Sequence, residues 1–432
     1  MSADTPIFEA LQLEGWRQFD SVNIRLHPRL TVLTGANGAG KSSLLRIFSS
    51  HFGYQFSFLA TPQINNAGGF SYVAGLFKSL WGKVWQSNPH QSRIGVLHYS
   101  NGVGAEIVLP NDPGGVAYNV SIHGQQPVMG IHIDAHQPIS PYQAVGQIPS
   151  NIISASQAYD NYNGEIRSRY QGGHTGKTPM YRMKEAITSM AMFGEGNRHI
   201  RGNQEILDAY NGFIEALKII LPEGLGFEGI SVRPPEVVLL TKTGEFILDA
   251  ASGGLLTLID LTWRLHMFSR SHERFVVTID EPENHLHPTM QRSLMRKLVT
   301  AFPAAQFIIA THSPFMVSSV RDSNVYVLRY KNAETEHHLS EPVAEFGPSR
   351  RIVSEYLDTI NKAGSASEIL RDVLGVPATI PEWVEDGIAS LVQRYREVPV
   401  TSDALRSLRH DLTELGYGEL YPDALAELTR DK

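Results

Sequence analysis

Eight consecutive residues, Gly35-Ala36-Asn37-Gly38-Ala39-Gly40-Lys41-Ser42, match the pattern G-x-x-x-x-G-K-[ST] in full. Glycines let successive backbone N–H groups turn inward around phosphate oxygens, where a β-carbon would obstruct the approach. In such a loop Lys41 extends to the β- and γ-phosphates of a nucleotide, and the Ser42 hydroxyl, with Ser43 beside it, reaches the Mg²⁺ shell. A second stretch, Phe275–Pro282, ends a mostly apolar run with Asp280-Glu281. Asp280 is placed to hold Mg²⁺ through water, and Glu281 to polarise an attacking water. A third, Phe307–Pro314, ends another apolar run with Thr311-His312-Ser313. A histidine there can sense or stabilise a γ-phosphate. Each stretch alone has a plain alternative: a chance glycine turn, a solvated acidic turn, or a surface histidine among the 17 in the chain. Their succession, each after an apolar strand, favours the chemical reading.

The pattern of apolar residues predicts the elements that carry these groups. Alternation predicts strands over Phe8–Leu13 and Val22–Leu26, then a buried strand Leu30–Thr34 leading into the glycine turn. A helix follows, with Leu44, Leu45, Ile47 and Phe48 on its apolar side. From about Gly68 to Ala135 the chain reads as turn-rich β structure, with Ile94–Leu97 and Ala105–Leu109 flanking the hairpin dipeptide Asn101-Gly102. Helices are expected over Met183–Met192, Gln204–Leu221, Leu255–Phe268 and about 289–301. A hairpin is expected from Glu236–Thr241 to Glu245–Leu248, and buried strands over Phe275–Ile279 and Phe307–Ala310. Apolar strands alternating with helices predict an α/β fold around a largely parallel sheet. From 349 to 432, Ile388, Leu391, Val392 and Tyr395 share a helical face, as do Leu405, Leu408, Leu412 and Leu415; Pro377, Pro381 and Pro399 punctuate them. The expected domains are therefore residues 1–348, with an inserted lobe over about 60–245, and an acidic helical region 349–432.

The 432 residues are 42% hydrophobic and 19% charged, a globular composition. Cysteine is absent, which excludes disulfides, thiolate zinc sites and cysteine nucleophiles and suits a reducing compartment. The first residues lack the basic start and apolar core of a secretion signal, and no apolar run is long enough to cross a bilayer, so the expected location is cytoplasmic with no membrane association. The net charge is −7, of which residues 351–432 carry −6, nine basic residues standing against fifteen acidic ones. Such a tail repels phosphate backbones, so any contact with DNA must come from the rest of the chain. Basic candidates there are scattered: Arg198/Arg201 and Arg350/Arg351.

The order of motifs resembles the ATP-binding-cassette ATPases, in the branch containing OLD-family, RecF-like and SMC-like heads. Glu281-Pro-Glu283-Asn-His285-Leu-His287-Pro288 is similar to the DEPE-x-HLHP text of the OLD-like branch. Leu248-Asp-Ala-Ala-Ser252-Gly253-Gly254 falls where that family carries its signature loop, and Leu13-Glu-Gly-Trp16-Arg17-Gln-Phe19 is similar to its opening strand, whose arginine lies near the nucleotide. The resemblance covers roughly residues 8–320. It implies an ABC-type head, with a P-loop mixed sheet, an antiparallel β subdomain and a helical lobe, that binds ATP and Mg²⁺ between two subunits. One subunit's P-loop would face the partner's Ser252, Gly253 and Gly254, so the protein would be a homodimer at least. The resemblance also implies a lobe-loop glutamine at the metal, with Gln143, Gln147 and Gln157 as candidates and Gln147 the one taken forward. Glu283, His285 and His287 are also a possible metal cluster, although the same resemblance accounts for them as an inter-subunit loop.

Missing parts narrow the family. No coiled-coil array interrupts the 211 positions between Lys41 and Ser252. After residue 320 no two aspartates form the D-x-D pair of a Toprim site, and no convincing His-Asn-His set marks an HNH nuclease. Short ATPases of this kind resemble the ATPase subunits of bacterial anti-phage systems, Septu first and PARIS-type systems second. The resemblance implies a regulated ATPase, without a nuclease of its own, controlling a separate nuclease effector of HNH type in the Septu case and a Toprim effector in the PARIS case. Two other readings stand beside it: a standalone DNA-repair or DNA-end-binding ATPase, which needs a basic face, and a transporter ATPase, against which the 60–245 insertion and the HLHP text argue.

Overall fold

The computed structural model describes all residues except 1–4, 55, 65–69, 74–90, 111–114, 137–139, 333–349, 359–361, 375–381, 397–400 and 430–432. In chain order the strands are β1 (Phe8–Trp16), β2 (Phe19–Arg25), β3 (Leu30–Gly35), the short β4 (Phe58–Leu59), β5 (Thr61–Ile64) and β6 (Phe70–Val73), then β7 (Gln91–Tyr99), β8 (Gly104–Pro110), β9 (Ala117–Tyr118), β10 (Ser121–His123) and β11 (Gly130–Ile133). After the helical lobe come β12 (Phe227–Arg233), β13 (Glu236–Thr241), β14 (Gly244–Ile247), β15 (Phe275–Asp280), β16 (Ala305–Ala310), β17 (Asn324–Asn332) and β18 (Arg350–Tyr356). The helices that bear on the site are α1 (Lys41–Ser49), α2 (Ala155–Tyr170), α3 (Pro179–Phe193), α4 (Gln204–Ile220), α5 (Gly253–Ser269), α6 (Pro288–Ala301) and the single turn α7 (Pro314–Val317).

One mixed sheet of eleven strands runs in the order β10-β8-β7-β1-β2-β18-β17-β3-β16-β15-β11. Its β17-β3-β16-β15-β11 side is parallel throughout. Every residue of β3 and β16 is buried, and in β15 every residue but the last, Asp280. That continuous apolar text is what parallel strands covered on both faces require. The far side is antiparallel and alternates: in β1, Phe8, Leu11, Leu13 and Trp16 point into the core. The β7–β8 hairpin turns at Asn101-Gly102 as expected, with Gly102 at φ 80° and the Val103 N–H donating to Asn101 Oδ1.

Three features depart from the expected layout. The 348/349 boundary falls among residues outside the described set, but Arg350–Tyr356 then forms β18, which pairs with β17 and β2 inside the main sheet. The chain instead divides into compact units at Gly364/Ser365. The 60–245 span is not a single lobe either: β7, β8 and β10 extend the main sheet and β11 pairs beside β15. The helical lobe proper is α2 to α5. Finally, Gln157 is not in a loop. It is the N3 residue of α2, whose N-cap Ser154 accepts from the Gln157 N–H while the Gln157 amide oxygen accepts from the Ser154 N–H, a capping box.

Two lobe contacts hold α5, one along its length and one just before its start. Phe213 of α4 meets Trp263 edge-on at 5.0 Å. The fully buried Lys184 of α3 donates to Asp249 at 2.7 Å, three residues before Ser252. An unpaired charge at such depth would be costly, so the pair holds the turn that leads into α5.

Residues Ser365–Lys432 form the second unit, with a core of Val384, Ile388, Leu391, Val392, Leu408, Leu412, Ala424 and Leu428. Leu415 is not part of it: the helix Ser402–Glu414 ends one residue earlier and Leu415 is exposed. This unit holds seven basic and thirteen acidic residues, so the acidity of the tail belongs to it. Among the described residues no helix is long and apolar enough to cross a membrane.

Two histidines, the buried His266 and the half-buried His51, give the first unit a pH limit. His51 Nδ1 donates to Phe48 O at 3.1 Å and its Nε2 meets Tyr99 Oη at 2.8 Å, while His266 Nε2 donates to Ala209 O at 2.8 Å. Burial lowers both from near 6.5 to about 4, against the pull of those carbonyls. The folded state therefore keeps them neutral while the unfolded chain takes up protons below pH 6.5. Their stabilising contribution is complete above that pH and lost as pH falls towards 4, by about tenfold in the folding equilibrium per pH unit for each histidine. Thermal unfolding from pH 7 to 4.5 should show this slope, and His51→Gln should reduce it; an unchanged slope would assign it to other groups.

Candidate nucleotide site

The C-terminal ends of β3, β15 and β16 lie side by side, in register from Leu30 to Phe307 and from Phe275 to Ala305. Three turns therefore open at one edge of the sheet, where ligands bind in open α/β folds. The first turn is the glycine loop. Gly35 (φ 138°) cannot carry a side chain, since a Cβ would stand 2.4 Å from the Leu328 carbonyl oxygen. At Gly40 (φ 88°), which caps α1, it would strike the Phe19 ring at 2.4 Å. Ala36, Asn37 and Gly38 are exposed and Ala39 is buried beneath them. An open backbone cradle ending at a helix N-terminus suits an anion.

Lys41 is buried, and its amine donates back to Gly35 O at 3.0 Å and Ala36 O at 3.2 Å. Burial lowers its pKa to about 8, with Asp280, Glu281 and Glu283 pulling the other way. His312 Nδ1 lies 3.4 Å from that amine, and His312 Nε2 lies 3.8 Å from Glu281 Oε1. Burial and the neighbouring Lys41 keep His312 below its ordinary pKa, opposed by Glu281 and Asp280. Ser42 hydrogen-bonds Asp280, whose pKa is nonetheless raised by burial, with Glu281 adding to the rise. Lys41, Ser42, Asp280, Glu281 and His312 thus meet as expected.

Glu281 has φ 49°, unusual for a side-chain-bearing residue. Its N–H donates to Ala310 O at 2.8 Å, and its Oε2 accepts from Asn284 at 3.1 Å. Strained backbone of this kind persists only where the surroundings over-determine it, and it concentrates at functional sites. His285, at φ 65° in the same turn, and Arg17, at φ 53° in the β1–β2 turn, share the feature. The Arg17 turn rests on the glycine loop through Phe19 and through Gln18, which donates to Gly38 O at 3.4 Å; the Arg17 guanidinium itself lies over the Phe58 ring.

Glu283 is the residue that the sequence did not single out for this role. Its Oε1 accepts from Thr311 Oγ1 (2.6 Å), His312 N (2.8 Å) and Ser313 N (3.1 Å), clamping the histidine turn to the acidic turn. Burial raises its pKa, opposed by these bonds. It is therefore committed to the turn and does not join His285 and His287 in a metal cluster; the His287 ring instead caps α6. No group of three ligating side chains occurs among the described residues.

The glutamine candidates do not reach the site. Gln143 bonds Gly176 O and the Thr178 N–H, Gln157 caps α2, and Gln147 is exposed with no bond to Asp280 or Ser42 among the described residues. The loop that does pass beside Asp280 follows β11, where Ile133 pairs with Ile279. Asp134 comes next, bonded by His132 at 3.2 Å, and Gln137 lies outside the described residues. This neighbour was hidden because four residues, Gly130–Ile133, carry too short a strand signal.

Ser252 caps α5 with extended backbone and makes no side-chain cap bond among the described residues; Ser252 and Gly253 are exposed. Gly254 is packed so that a Cβ would stand 2.8 Å from His285 O. The loop is thus held against the acidic turn while its serine hydroxyl and helix N-terminus face outward.

Comparison with known proteins finds matches in both halves of the nucleotide site's sequence. Residues 10–70 match a family model described as "AAA domain", and residues 228–318 match one described as "AAA domain, putative AbiEii toxin, Type IV TA system". The first spans the glycine loop; the second spans Ser252, Asp280, Glu281 and His312. The chain is 34% identical over 109 residues to the retron Vc95 probable ATPase of Vibrio cholerae serotype O1 biovar El Tor, covering 23% of this chain and 21% of that protein. It is 33% identical over 99 residues to the Septu protein PtuA of Bacillus mycoides (strain KBAB4), covering 22% of this chain and 14% of that protein. The aligned stretches thus span about a fifth or less of the length of these curated relatives. Among solved structures the SMC head domain from Thermotoga maritima aligns with a TM-score of 0.39 and 14% identity, over 74% of this chain and 95% of that one. The chain resembles, at modest identity, the Septu protein PtuA and the retron Vc95 probable ATPase.

Proposed function

We propose that this protein binds and hydrolyses ATP with Mg²⁺, that two copies close head to head around the nucleotide, and that the closed or open state controls a separate nuclease effector in an anti-phage defence complex. The observation that carries the reading is the convergence of Lys41, His312 and Glu281 in successive contacts under 4 Å at the mouth of the glycine loop. The relatives named for Septu and retron systems support the defence context, with an HNH-type effector favoured by the Septu likeness.

The residues fit the nucleotide and its metal. Gly35 to Ser43 would hold the phosphates, with Arg17 near the same loop, and Lys41 would exchange its two carbonyl partners for phosphate oxygens. Ser42 and Asp280 would hold the metal, which neutralises phosphate charge when bound. Glu281 would orient water and take its proton, while His312, held by Glu283, would meet the γ-phosphate. Ser252 and the amides of Gly253 and Gly254 would complete the site of the other copy. Nothing in this scheme needs Gln147.

Mixing two inactive variants tests the shared site. Lys41→Ala and Ser252→Arg subunits are each expected to be inactive alone. Mixed, they form one composite site with an intact P-loop and an intact Ser252, and hydrolysis should return to a fraction of the native rate. If mixing restores nothing, the site is self-contained. For the partner, co-expression with a neighbouring nuclease gene should yield a complex that survives purification. Tight DNA-end binding without such a partner would favour the standalone ATPase instead. The structure offers that alternative little, since Arg351 of the basic candidates is already paired with Asp20 at 3.0 Å.

A further inference from the structure

Gln291, on the first turn of α6, makes two contacts that the scheme above does not use. Its Nε2 donates to the Leu286 carbonyl oxygen at 2.9 Å, at the far end of the acidic turn. Its Oε1 accepts from the Ser313 hydroxyl at 2.7 Å, next to His312. The neighbours decide which way the amide faces. A carbonyl can only accept, so the NH₂ must point at Leu286, and the hydroxyl donates to the remaining oxygen. One half-buried side chain thus bonds both of the turns that carry Glu281 and His312.

The bonds go beyond ordinary helix capping. Ser313 is the N-cap of α7, where a serine hydroxyl commonly accepts from an amide of its own helix. Here it makes no cap bond and donates to α6 instead. The acidic turn holds Glu281 and His285 at positive φ, a backbone that persists only where its surroundings over-determine it. The Glu281 N–H, on Ala310 O, fixes one end of that turn, and the Gln291 bond to Leu286, the residue after His285, fixes the other. Glu283 holds the histidine turn through Thr311 and two backbone amides, and Gln291 adds a side-chain grip at Ser313. With both grips in place His312 keeps Nε2 at 3.8 Å from Glu281 and Nδ1 at 3.4 Å from Lys41.

We propose that Gln291 is a positioning residue for hydrolysis: by tying the Ser313 hydroxyl to the Leu286 carbonyl, it sets where His312 stands relative to Glu281. This role rests on the proposed ATPase reading and adds to it a residue that lies outside the three motifs. The glycine loop takes no part in the tie, so nucleotide binding and hydrolysis should separate.

Full-length Gln291→Met keeps the length of the side chain and removes both bonds. It should bind fluorescent ATP within about twofold of the parent and hydrolyse ATP about tenfold to a hundredfold more slowly, the effect expected of two lost hydrogen bonds. Ser313→Ala removes only one bond; it should slow hydrolysis by about threefold to tenfold, and it decides the matter if Gln291→Met does not fold. In a His312→Ala background neither substitution should lower the residual rate by more than about twofold, because the group they position is gone. A general loosening of the fold would cost the same in both backgrounds. Native hydrolysis in either folded variant, an equal loss with and without His312, or a loss of ATP affinity as large as the loss of rate overturns the role. His312→Ala hydrolysing at the native rate is a separate result, which removes His312 from the proposed chemistry and the role of Gln291 with it.

Discussion

Lys41→Ala is expected to weaken ATP binding by at least about a hundredfold. The amine is buried at the base of the glycine loop and now spends its hydrogen bonds on Gly35 and Ala36 carbonyls. Phosphate oxygens would replace those partners with charged ones. Hydrogen bonds to charged groups contribute about 1.5–3 kcal/mol each, so two of them account for two to four orders of magnitude in affinity. Fluorescent-ATP titration measures the loss directly, and circular dichroism confirms that the variant is folded. Retained affinity would remove the phosphate-binding role of the loop, and with it the basis for every later step.

Glu281→Gln should have the opposite profile: ATP still binds, but hydrolysis falls by about a hundredfold to ten-thousandfold, the usual contribution of a positioned general base. Glutamine keeps the shape and can still accept from Asn284, so the turn should hold. What it loses is the ability to take a proton from water. With ATP trapped, the two-copy state should accumulate, and sedimentation with and without ATP would show it. Phosphate release at the native rate would show that Glu281 is not the base. His312 sits 3.8 Å from the same carboxylate and is itself placed by Glu283, so its role is best separated by comparing the two single variants with the double one.

Much of this arrangement was legible before any coordinates. A full G-x-x-x-x-G-K-S text and two apolar strands ending in polar residues point to one position for the polar groups, because a strand buried on both faces can release them only at its end. Gly35, Gly40, Asp280, Glu281 and His312 are where that logic puts them. Helices with long apolar stripes, such as α4 and α5, were also plain, since their periodicity runs over 17 residues each.

What only the tertiary structure decided depends on contacts between residues far apart in the chain. Glu283 reads as one more acid after a strand until its carboxylate is seen gathering three donors 28 to 30 positions away. β18 looked like the start of the helical tail; its seven residues gain strand partners only by docking between β17 and β2. β11 is four residues long, and without its pairing to β15 nothing marks the loop after it, rather than the one holding Gln147, as the neighbour of Asp280. Local periodicity specifies which residues face inward; it does not specify which inward-facing residues meet, and that is set by the order in which the strands assemble.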